Sequence, residues 1–373
     1  MINDRSGAGV RARFTLFLAT VLTACTAPVD VPSWTRIDLP GASGADLRAA
    51  ADCDGRWYVA GSLPDTTGRT RPAAWTSTDA VTWEPVRFSA LPTSEYGPQN
   101  VISAVACAAG RVVMLGSARG GAHGNPRVST WHRLADGRMT ENPAPFETYG
   151  GDTAVDVAHL SAGPSGFALA GNRSTGAAAW FSPDGVTFTL VENAPGLASD
   201  ATGRTAARDV VALPDGRWMV VGGRDDRAAA WVSRDGRRWT PADPPSAEPG
   251  WTELQRAVRV GADVVAAGPR GTSFGVWRLR AGTWSELGVF GGAPTGVRSL
   301  AAAGGRLVAV AGGLWTSADG VTWQSQVTPE PPVAVTGRDG TLLLVTAGAA
   351  YRRVTVTRAR GRAAGRPAGG RRR

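Results

Sequence analysis

Histidine and cysteine are the residue types most able to bind a metal or attack a substrate, and this chain has three of each. The histidines, His123, His132 and His159, show no metal-ligand spacing. The sequence also contains no P-loop, no dinucleotide-binding fingerprint and no G-x-S-x-G nucleophile elbow. These patterns predict no metal site and no cofactor, and they give nucleophilic hydrolase families no support.

Other polar side chains recur at a fixed place in a repeat, so the repeated elements have to be established first. Seven strand-like segments begin and end with glycine and have apolar interiors such as WYVA and WMVV. The segments are 55–61, 110–116, 166–171, 216–222, 261–268, 305–312 and 340–348. Interiors that are apolar on both faces are typical of strands buried in a stack of sheets.

Aromatic residues follow these segments at regular distances. The first aromatics are Trp75, Trp131, Trp180, Trp231, Trp277, Trp315 and Tyr351. In four copies a second aromatic stands eight residues further on, and between the two lies a turn with Ser, Asp and usually Gly. The aspartates of these turns are Asp79, Asp184, Asp235 and Asp319. An Asp carboxylate accepts hydrogen bonds from turn amides and Gly takes the positive φ, so the pattern predicts a hairpin.

The hairpin motif resembles the Asp-box, or BNR, repeat of sialidases and many other β-propellers, whose pattern is S-x-D-x-G-x-T-W. One residue between Asp and Gly is missing throughout this chain. The resemblance covers nearly all of the chain after its N-terminal segment. It implies a β-propeller in which the four aspartates are structural, because in that family these turns lie on the outer rim, away from the ligand face.

The number of repeats favours seven blades. Four-stranded blades need about 40 to 50 residues each, and the first aromatics lie 56, 49, 51, 46, 38 and 36 residues apart. The last unit has material for only three strands, and residues 33–36 match 238–241 as a fourth strand. We therefore predict an all-β, seven-bladed propeller over residues 33–357 that is closed by the N-terminal strand. Six blades is the alternative.

The inner strands of a propeller line its central channel, so polar residues at their starts should face the mouth. Counting back from the repeated glycines selects Arg48, Ser103, Asp156 or His159, Asp209, Gln255 or Arg256, and Arg298. A funnel of mixed charge suits a polar ligand or a peptide. The alternative is a water-filled channel with paired charges. Trp251, which lies outside the repeated aromatic positions, is a further candidate for ligand contact.

The resemblance to sialidases also implies a catalytic set. That set has three arginines for the substrate carboxylate, a Tyr nucleophile with a Glu partner, and an Asp acid/base. The family's F/Y-R-I-P signature is absent, and residues 36–40 (RIDLP) are a broken form of it on the closing strand. The candidates for nucleophile and partner are Tyr96 near Glu95 and Tyr149 near Glu147, in loops between blades.

The N-terminus indicates export. Three arginines precede the apolar run 14–22, which is too short to span a membrane. Leu22-Thr23-Ala24-Cys25 resembles the lipobox of bacterial lipoproteins, in which the Cys becomes residue one and carries diacylglycerol through its sulfur. This implies a signal peptide over 1–24, a lipidated linker over 25–32 and the outward face of the cell membrane. An ordinary secretory signal cut near Ala24 or Ala27 is the alternative.

Export places the two remaining cysteines in a compartment where disulfides persist. Cys53 and Cys107 each lie just before the glycine that opens a repeated strand, in adjacent units. We therefore predict a Cys53–Cys107 disulfide. A pair of small buried thiols is the alternative.

The net charge of +9 is concentrated at the C-terminus. The last 22 residues contain no acid and nine arginines, namely Arg352, Arg353, Arg358, Arg360, Arg362, Arg366, Arg371, Arg372 and Arg373. The rest of the chain is balanced, so no nucleic-acid partner is predicted. Residues 358–373 form a tail without apolar periodicity, which we expect to be disordered and to contact anionic lipid near the anchor.

These patterns together predict a non-catalytic, membrane-anchored exported lipoprotein whose propeller binds a protein partner or an envelope glycan. A sialidase-type glycoside hydrolase is one alternative. An assembly factor for a membrane protein complex is the other.

Overall fold

The structure is a computed structural model that describes residues 33–120, 126–245, 250–292 and 295–354. The predicted signal peptide, Cys25 with its linker, His123 and the predicted tail 358–373 lie outside the described residues. Within the described ranges, no helix has the length and apolar character needed to cross a membrane.

The described residues form seven sheets, which are the blades of a propeller. The chain begins with a short strand, β1 (Thr35–Arg36). Blade 1 contains β2 (Asp46–Cys53), β3 (Arg56–Pro64), β4 (Thr70–Ser77) and β5 (Glu84–Pro85), and blade 2 contains β6 (Phe88–Ser89), β7 (Val101–Ala108), β8 (Arg111–Arg119), β9 (Pro126–Arg133) and β10 (Met139–Glu141). Blade 3 contains β11 (Ala154–Gly163), β12 (Gly166–Arg173), β13 (Gly176–Ser182) and β14 (Thr189–Val191). Blade 4 contains β15 (Thr205–Ala212), β16 (Trp218–Arg224), β17 (Arg227–Ser233) and β18 (Thr240–Pro241).

The remaining three blades complete the ring. Blade 5 contains β19 (Arg256–Val260), β20 (Asp263–Arg270), β21 (Ser273–Arg280) and β22 (Thr283–Phe290). Blade 6 contains β23 (Ser299–Ala303), β24 (Arg306–Val310), β25 (Leu314–Ser317) and β26 (Trp323–Gln326). Blade 7 contains β27 (Pro332–Arg338), β28 (Thr341–Thr346) and β29 (Ala350–Val354). The first long strands of successive blades contact one another around the whole ring. The prediction of seven blades is confirmed, and the six-blade alternative is wrong.

The ring closes between the two ends of the described chain. β1 is the fourth strand of blade 7, with Thr35 opposite Arg352 and Arg36 opposite Tyr351. The neighbouring Trp34 donates a hydrogen bond from Nε1 to Val327 O at 3.0 Å, and the Arg353 guanidinium lies 4.5 Å from the centre of its indole ring. Closure of this kind covers part of the outer edge of β29, which would otherwise be unpaired.

Blade 2 differs from the expected four-stranded unit. β6, from the connection that follows blade 1, pairs in parallel with the outer strand β10 and makes this blade five-stranded. The connections between blades also hold the two short helices of the described chain. These are a 3₁₀ turn at Gly97–Gln99 and the single-turn helix α1 at Phe146–Tyr149.

The two repeated glycines have different physical roles. The first one turns the chain between the inner two strands, with positive φ at Gly55 (+86°) and Gly216 (+84°), where a side chain would be strained. In blades 1 to 5 the second one lacks the positive φ and lies against the inner strand. A Cβ at Gly222, for example, would come 1.9 Å from Ala206 O, and one at Gly268 would come 1.9 Å from Glu253 O. The repeat therefore records a close approach of two strands as well as a turn.

Apolar side chains fill each gap between neighbouring blades. Seven separate clusters of buried residues occur, and each draws its members from two adjacent blades. The first aromatics of the repeat lie in these clusters, and Trp75, Trp131, Trp180, Trp231 and Trp277 are almost fully buried. Most of the repeated first aromatics are therefore core residues.

The aspartate-containing turns share one hydrogen-bond arrangement. At the first turn, the Asp79 carboxylate accepts from the Val81 and Thr82 amides at 2.8 Å each, while the Ser77 hydroxyl accepts from the Ala80 amide at 2.9 Å. The turns at Asp184, Asp235 and Asp319 repeat this arrangement. These backbone hydrogen bonds lower the pKa of Asp79 to about 2. The four carboxylates therefore stabilise the turns between the third and fourth strands.

The antiparallel blades give the propeller two distinct faces. The first and third strands of each blade run toward the face that carries the hairpins between strands one and two and the aspartate turns; we call it the turn face. The opposite face carries the connections between blades and is called the loop face. Because β1 is a fourth strand and β29 a third strand, the chain both enters at Ser33 and ends its described part at Val354 on the turn face.

Candidate functional site

A β-bulge marks the start of most inner strands, at the loop face. In blades 1, 2 and 4 the register shifts around Arg48, Ser103 and Arg208, which are the extra residues. Blade 5 has the same two-against-one arrangement, since Gln255 donates its amide to Ala267 O and Arg256 is paired with Ala267. A bulge turns a side chain out of the regular alternation. Side chains at these positions surround the mouth of the central channel.

Three arginines stand at equivalent positions around this mouth. Arg48 in blade 1 is exposed and pairs with Asp46 at 2.6 Å. Arg208 in blade 4 donates from Nε to the buried Glu253 at 2.8 Å. Arg298 in blade 6 is exposed and forms no ion pair with the described residues. Guanidinium groups held on rigid strands at a channel mouth suit carboxylate or phosphate groups.

In blades 3 to 6 the next residue along the inner strand forms hydrogen bonds or ion pairs between blades. His159 Nδ1 of blade 3 lies 2.7 Å from Asp209 Oδ1 of blade 4, and Asp209 Oδ2 accepts from the Ala257 amide of blade 5 at 2.9 Å. Burial raises the pKa of Asp209, but His159, Arg256 and the Ala257 amide together hold it below its ordinary value. Asp209 is 2% exposed. Its carboxylate therefore joins three blades beneath the mouth.

Arg256 continues these ties into blade 6. Its Nε donates to Arg298 O at 2.9 Å and its Nη1 donates to Gln255 O at 2.6 Å. Burial lowers the pKa of this guanidinium, which the neighbouring Asp209 partly offsets. Ser299 then bonds Val335 of blade 7 through both its donor and acceptor. Asp209 and Arg256 therefore fit the alternative prediction, a channel with paired charges, better than the prediction that they contact a ligand.

Two other predicted contacts are more accessible. Asp156 is exposed near the start of β11 and accepts a hydrogen bond from Asn172 Nδ2 at 2.9 Å. Trp251 is 44% exposed in the connection between blades 4 and 5, where its carbonyl oxygen accepts from the Gly271 amide. Both lie on the loop face.

The Tyr–Glu pairs suggested by the sialidase resemblance do not form close pairs. Tyr149 lies in α1, and its hydroxyl contacts Thr130 Oγ1 at 3.2 Å. Burial raises the pKa of this phenol, which opposes its use as a nucleophile. Tyr96 lies beside the 3₁₀ turn with Arg127 over its ring. The side chains of Glu95 and Glu147 are exposed, and among the described residues neither accepts a hydrogen bond from Tyr149.

One close Tyr–Glu pair occurs where the sequence analysis did not place it. Tyr351 donates from its hydroxyl to Glu330 Oε1 at 2.8 Å, and Thr346 donates to the other carboxylate oxygen at 2.7 Å. Burial, together with the hydrogen bond and charge of Glu330, raises the pKa of Tyr351. This pair lies in blade 7 beside the closing strand, away from the channel mouth, and it fastens the last connection to the blade.

No described group of three His, Cys, Asp or Glu side chains is arranged to hold a metal ion. His132 Nδ1 contacts Asn142 Oδ1. The cysteines are joined: a Cys53–Cys107 disulfide, with a Cα–Cα distance of 5.5 Å, links the turn-face ends of β2 and β7. It ties blade 1 to blade 2.

Arg208 and Glu253 at the mouth were not among the residues predicted from the sequence. Counting from the repeated glycines selected Asp209 because a bulge adds one residue that spacing alone does not reveal. Two consecutive charged residues, Arg208 and Asp209, were the available signal. Neighbouring side chains of a regular strand point to opposite faces, so two charges at the start of a buried strand indicate a bulge.

No protein-family model matches the chain, and no curated protein matches it in sequence. Solved structures do resemble it. Virginiamycin B lyase from Staphylococcus aureus is 12% identical with a TM-score of 0.60, covering 87% of this chain and 99% of its own. YCF48 from Cyanidioschyzon merolae is 13% identical with a TM-score of 0.55, covering 86% and 98%.

A second YCF48 structure, described as bound to a D1 peptide, is 17% identical with a TM-score of 0.56 and covers 89% of this chain and 98% of its own. At these identities the likeness shows the fold alone. The class of protein is therefore a seven-bladed β-propeller.

Proposed function

We propose that this chain is a non-catalytic, membrane-anchored exported lipoprotein whose propeller uses its loop face to bind a protein partner or an envelope glycan. The observation that carries the proposal is the closure of blade 7. Because β1 pairs with β29, both described ends of the chain leave on the turn face, opposite the polar channel mouth.

The anchor is part of this proposal. Cys25 lies eight residues before Ser33, so a lipid on its sulfur would hold the turn face near the outer surface of the cell membrane. The tail 358–373 begins four residues after Val354, the last described residue on the turn face, and its arginines would add attraction to anionic headgroups. The loop face would then point away from the membrane, toward the cell exterior.

The mouth supplies the recognition groups. Arg48 and Arg298 are exposed on blades 1 and 6, and Trp251 is an exposed aromatic on the same face. Arginine and tryptophan are the residues most enriched at binding hot spots. A role in binding or assembly also agrees with the solved propeller described as bound to a peptide.

Ligand capture tests the proposal. The full-length protein and an Arg48→Glu/Arg298→Glu variant are incubated with solubilised cell-envelope material and the retained protein or glycan is measured. Charge reversal at the mouth should remove most of the capture. An Arg234→Glu variant is the control, since Arg234 is an exposed arginine of a turn on the opposite face. Equal capture by all three proteins would contradict the proposal.

The glycoside hydrolase alternative has a separate test. A fluorogenic sialoside would be hydrolysed by a sialidase, and Tyr96→Phe or Tyr149→Phe would abolish the turnover. We expect no turnover above the uncatalysed rate, because the Tyr149 phenol has a raised pKa and pairs with a threonine hydroxyl.

A further inference from the structure

A second recess lies on the loop face, between blades 2 and 3 and outside the channel. It has a volume of about 350 Å³ and is lined by residues of the 3₁₀ turn, of β9 and of α1. Tyr96, Arg127, Glu141, Phe146 and Tyr149 are among them. We call it the loop pocket. Its volume falls at the small end of ligand sites.

Arg127 is the cationic side chain of the loop pocket, and it shares the lining with the exposed carboxylate of Glu95. Its guanidinium lies 5.2 Å from the ring centre of Phe146 and 5.8 Å from that of Tyr96. Its Nε is buried without a hydrogen-bond partner, and no ion pair joins it to the described part of the chain. A buried donor left unpaired is costly, so a ligand that supplies acceptors would be stabilising here.

The buried carboxylate of the pocket is already engaged. Glu141 Oε1 accepts from Ser129 Oγ at 2.7 Å and from Ser94 Oγ at 2.8 Å, and Oε2 accepts from the Leu91 amide at 3.0 Å. Glu141 is 5% exposed. These hydrogen bonds engage both carboxylate oxygens of Glu141, and no ion pair joins Glu141 to Arg127 among the described residues.

Three glycines make room for the walls of the pocket. A Cβ at Gly97 would lie 2.0 Å from Glu141 Oε2, one at Gly120 would lie 1.9 Å from Tyr96 Cε1, and one at Gly150 would lie 2.7 Å from Phe146 Cε2. None of the three has the positive φ that by itself favours glycine. Their lack of a side chain is therefore explained by the carboxylate and the two aromatic rings that they accommodate.

We propose that the loop pocket binds a carboxylate group of a peptide, with Arg127 as its ion-pair partner between the rings of Tyr96 and Phe146. A guanidinium matches a carboxylate with two parallel N–H donors. A peptide fits better than a sugar acid because Arg127 already covers a face of each ring, where a pyranose would stack. This inference rests on the proposed binding function and names the ligand group for it.

The test compares small probes on the full-length protein in detergent micelles, with ¹⁵N-labelled arginine side chains observed by NMR. The probes are N-acetyl-Ala-Ala with a free carboxylate, the same dipeptide as its amide, N-acetyl-Asp amide and glucuronate. We expect the Arg127 Nε–H signal to move with the free dipeptide, and binding to weaken about tenfold or more with the dipeptide amide.

Variants assign the effect to the pocket. Arg127→Gln should weaken binding of the free dipeptide about tenfold, while Arg71→Gln, at an exposed arginine that starts β4 on the same face, should leave it unchanged. N-acetyl-Asp amide decides between a C-terminal and a side-chain carboxylate. Equal binding of acid and amide, no binding of either peptide acid, or binding of glucuronate alone would overturn the proposal.

The outcomes remain separable from those for the proposed function. If the carboxylate probes fail while envelope capture still depends on Arg48 and Arg298, the ligand group is wrong and the binding role stands. If capture shows no dependence on the mouth and the loop pocket still binds the dipeptide, the proposed use of the mouth fails instead.

Discussion

Thr35, in the first strand of the described chain, pairs with Arg352 in its last strand. This pairing makes the first described strand part of blade 7 and brings both ends of the described chain to the turn face. Positions 33 and 354 therefore leave from one side of the ring, and the channel mouth and the loop pocket open on the other.

Closure should contribute measurably to stability. Trp34→Ala removes the hydrogen bond to Val327 O and the indole beneath Arg353. We expect a loss of about 2 kcal/mol in the free energy of unfolding, measured by urea denaturation. Trp251→Ala, at an exposed tryptophan outside the closure, should change it by less than about 0.5 kcal/mol. Equal effects of the two substitutions would mean that the N-terminal strand does not fasten the ring.

The second repeated glycine should not tolerate a side chain. In Gly222→Ala the new Cβ would come 1.9 Å from Ala206 O, so the two strands would have to separate. We expect a loss of about 2–3 kcal/mol or more. Gly292→Ala is the control, because a Cβ there meets nothing within 4 Å and its φ is not positive. A wild-type melting temperature for Gly222→Ala would refute the close approach.

The buried Asp209 should make stability depend on acid pH. Its pKa is depressed in the folded state, so its stabilising effect is present above the unfolded pKa near 4 and is lost as pH falls through the lower folded pKa. We expect Asp209→Asn to lose about 2–3 kcal/mol at pH 7, because His159 and the Ala257 amide lose their anionic partner.

Unfolding free energies measured from pH 7 down to about pH 2.5 test this assignment. The difference between wild type and Asp209→Asn should be largest at neutral pH and shrink below about pH 4. Asp226→Asn, at an exposed aspartate in the turn between β16 and β17 of the same blade, is the matched control and should show little difference. A difference that stays constant across the range would show that Asp209 acts by shape and not by charge.

The disulfide should stabilise the junction of blades 1 and 2. Reducing the Cys53–Cys107 bond frees a loop closed over a sequence separation of 54, and we expect a loss of about 2–4 kcal/mol. Thermal unfolding with and without a reductant measures it. The Cys53→Ala/Cys107→Ala protein should have the melting temperature of the reduced wild type, with and without reductant. If reductant still lowers the melting temperature of this variant, the effect does not come from the Cys53–Cys107 bond.

The tail should add to membrane attachment. Deleting residues 358–373 should weaken binding to vesicles of anionic lipid at low salt, by about 1 kcal/mol for each arginine near the surface. Binding to neutral vesicles should be unaffected, and the difference should vanish at high salt. Unchanged binding to anionic vesicles would leave the tail without this role.

The repeat made the architecture predictable. Glycine and tryptophan recur because the blades share a turn and an aromatic in the gap to the neighbouring blade, and blades 1 to 5 also share a close approach of two strands. Those constraints act over a few residues and appear as spacing. The closing strand was also recognisable, since residues 33–36 match the fourth strand that blade 7 lacks.

The site was less predictable because it depends on contacts between blades. Counting from the repeated glycine selected Asp209 as a ligand contact, because the extra residue of the bulge at Arg208 was not visible in the spacing. The Asp209 carboxylate is buried between blades. Arg127 gave no signal, because its unpaired state depends on Glu141 being engaged by a serine of the preceding connection. Such relationships join residues that are far apart in sequence and have no fixed period.

The central claim is that the loop face meets the ligand while the turn face is held toward the membrane. Intact cells carrying the full-length protein with a photo-crosslinking amino acid at position 298 or at position 234 test it most directly. We predict a crosslinked protein or glycan from position 298 on the mouth, and none of that product from position 234. The same product from both positions, or from position 234 alone, would contradict the account.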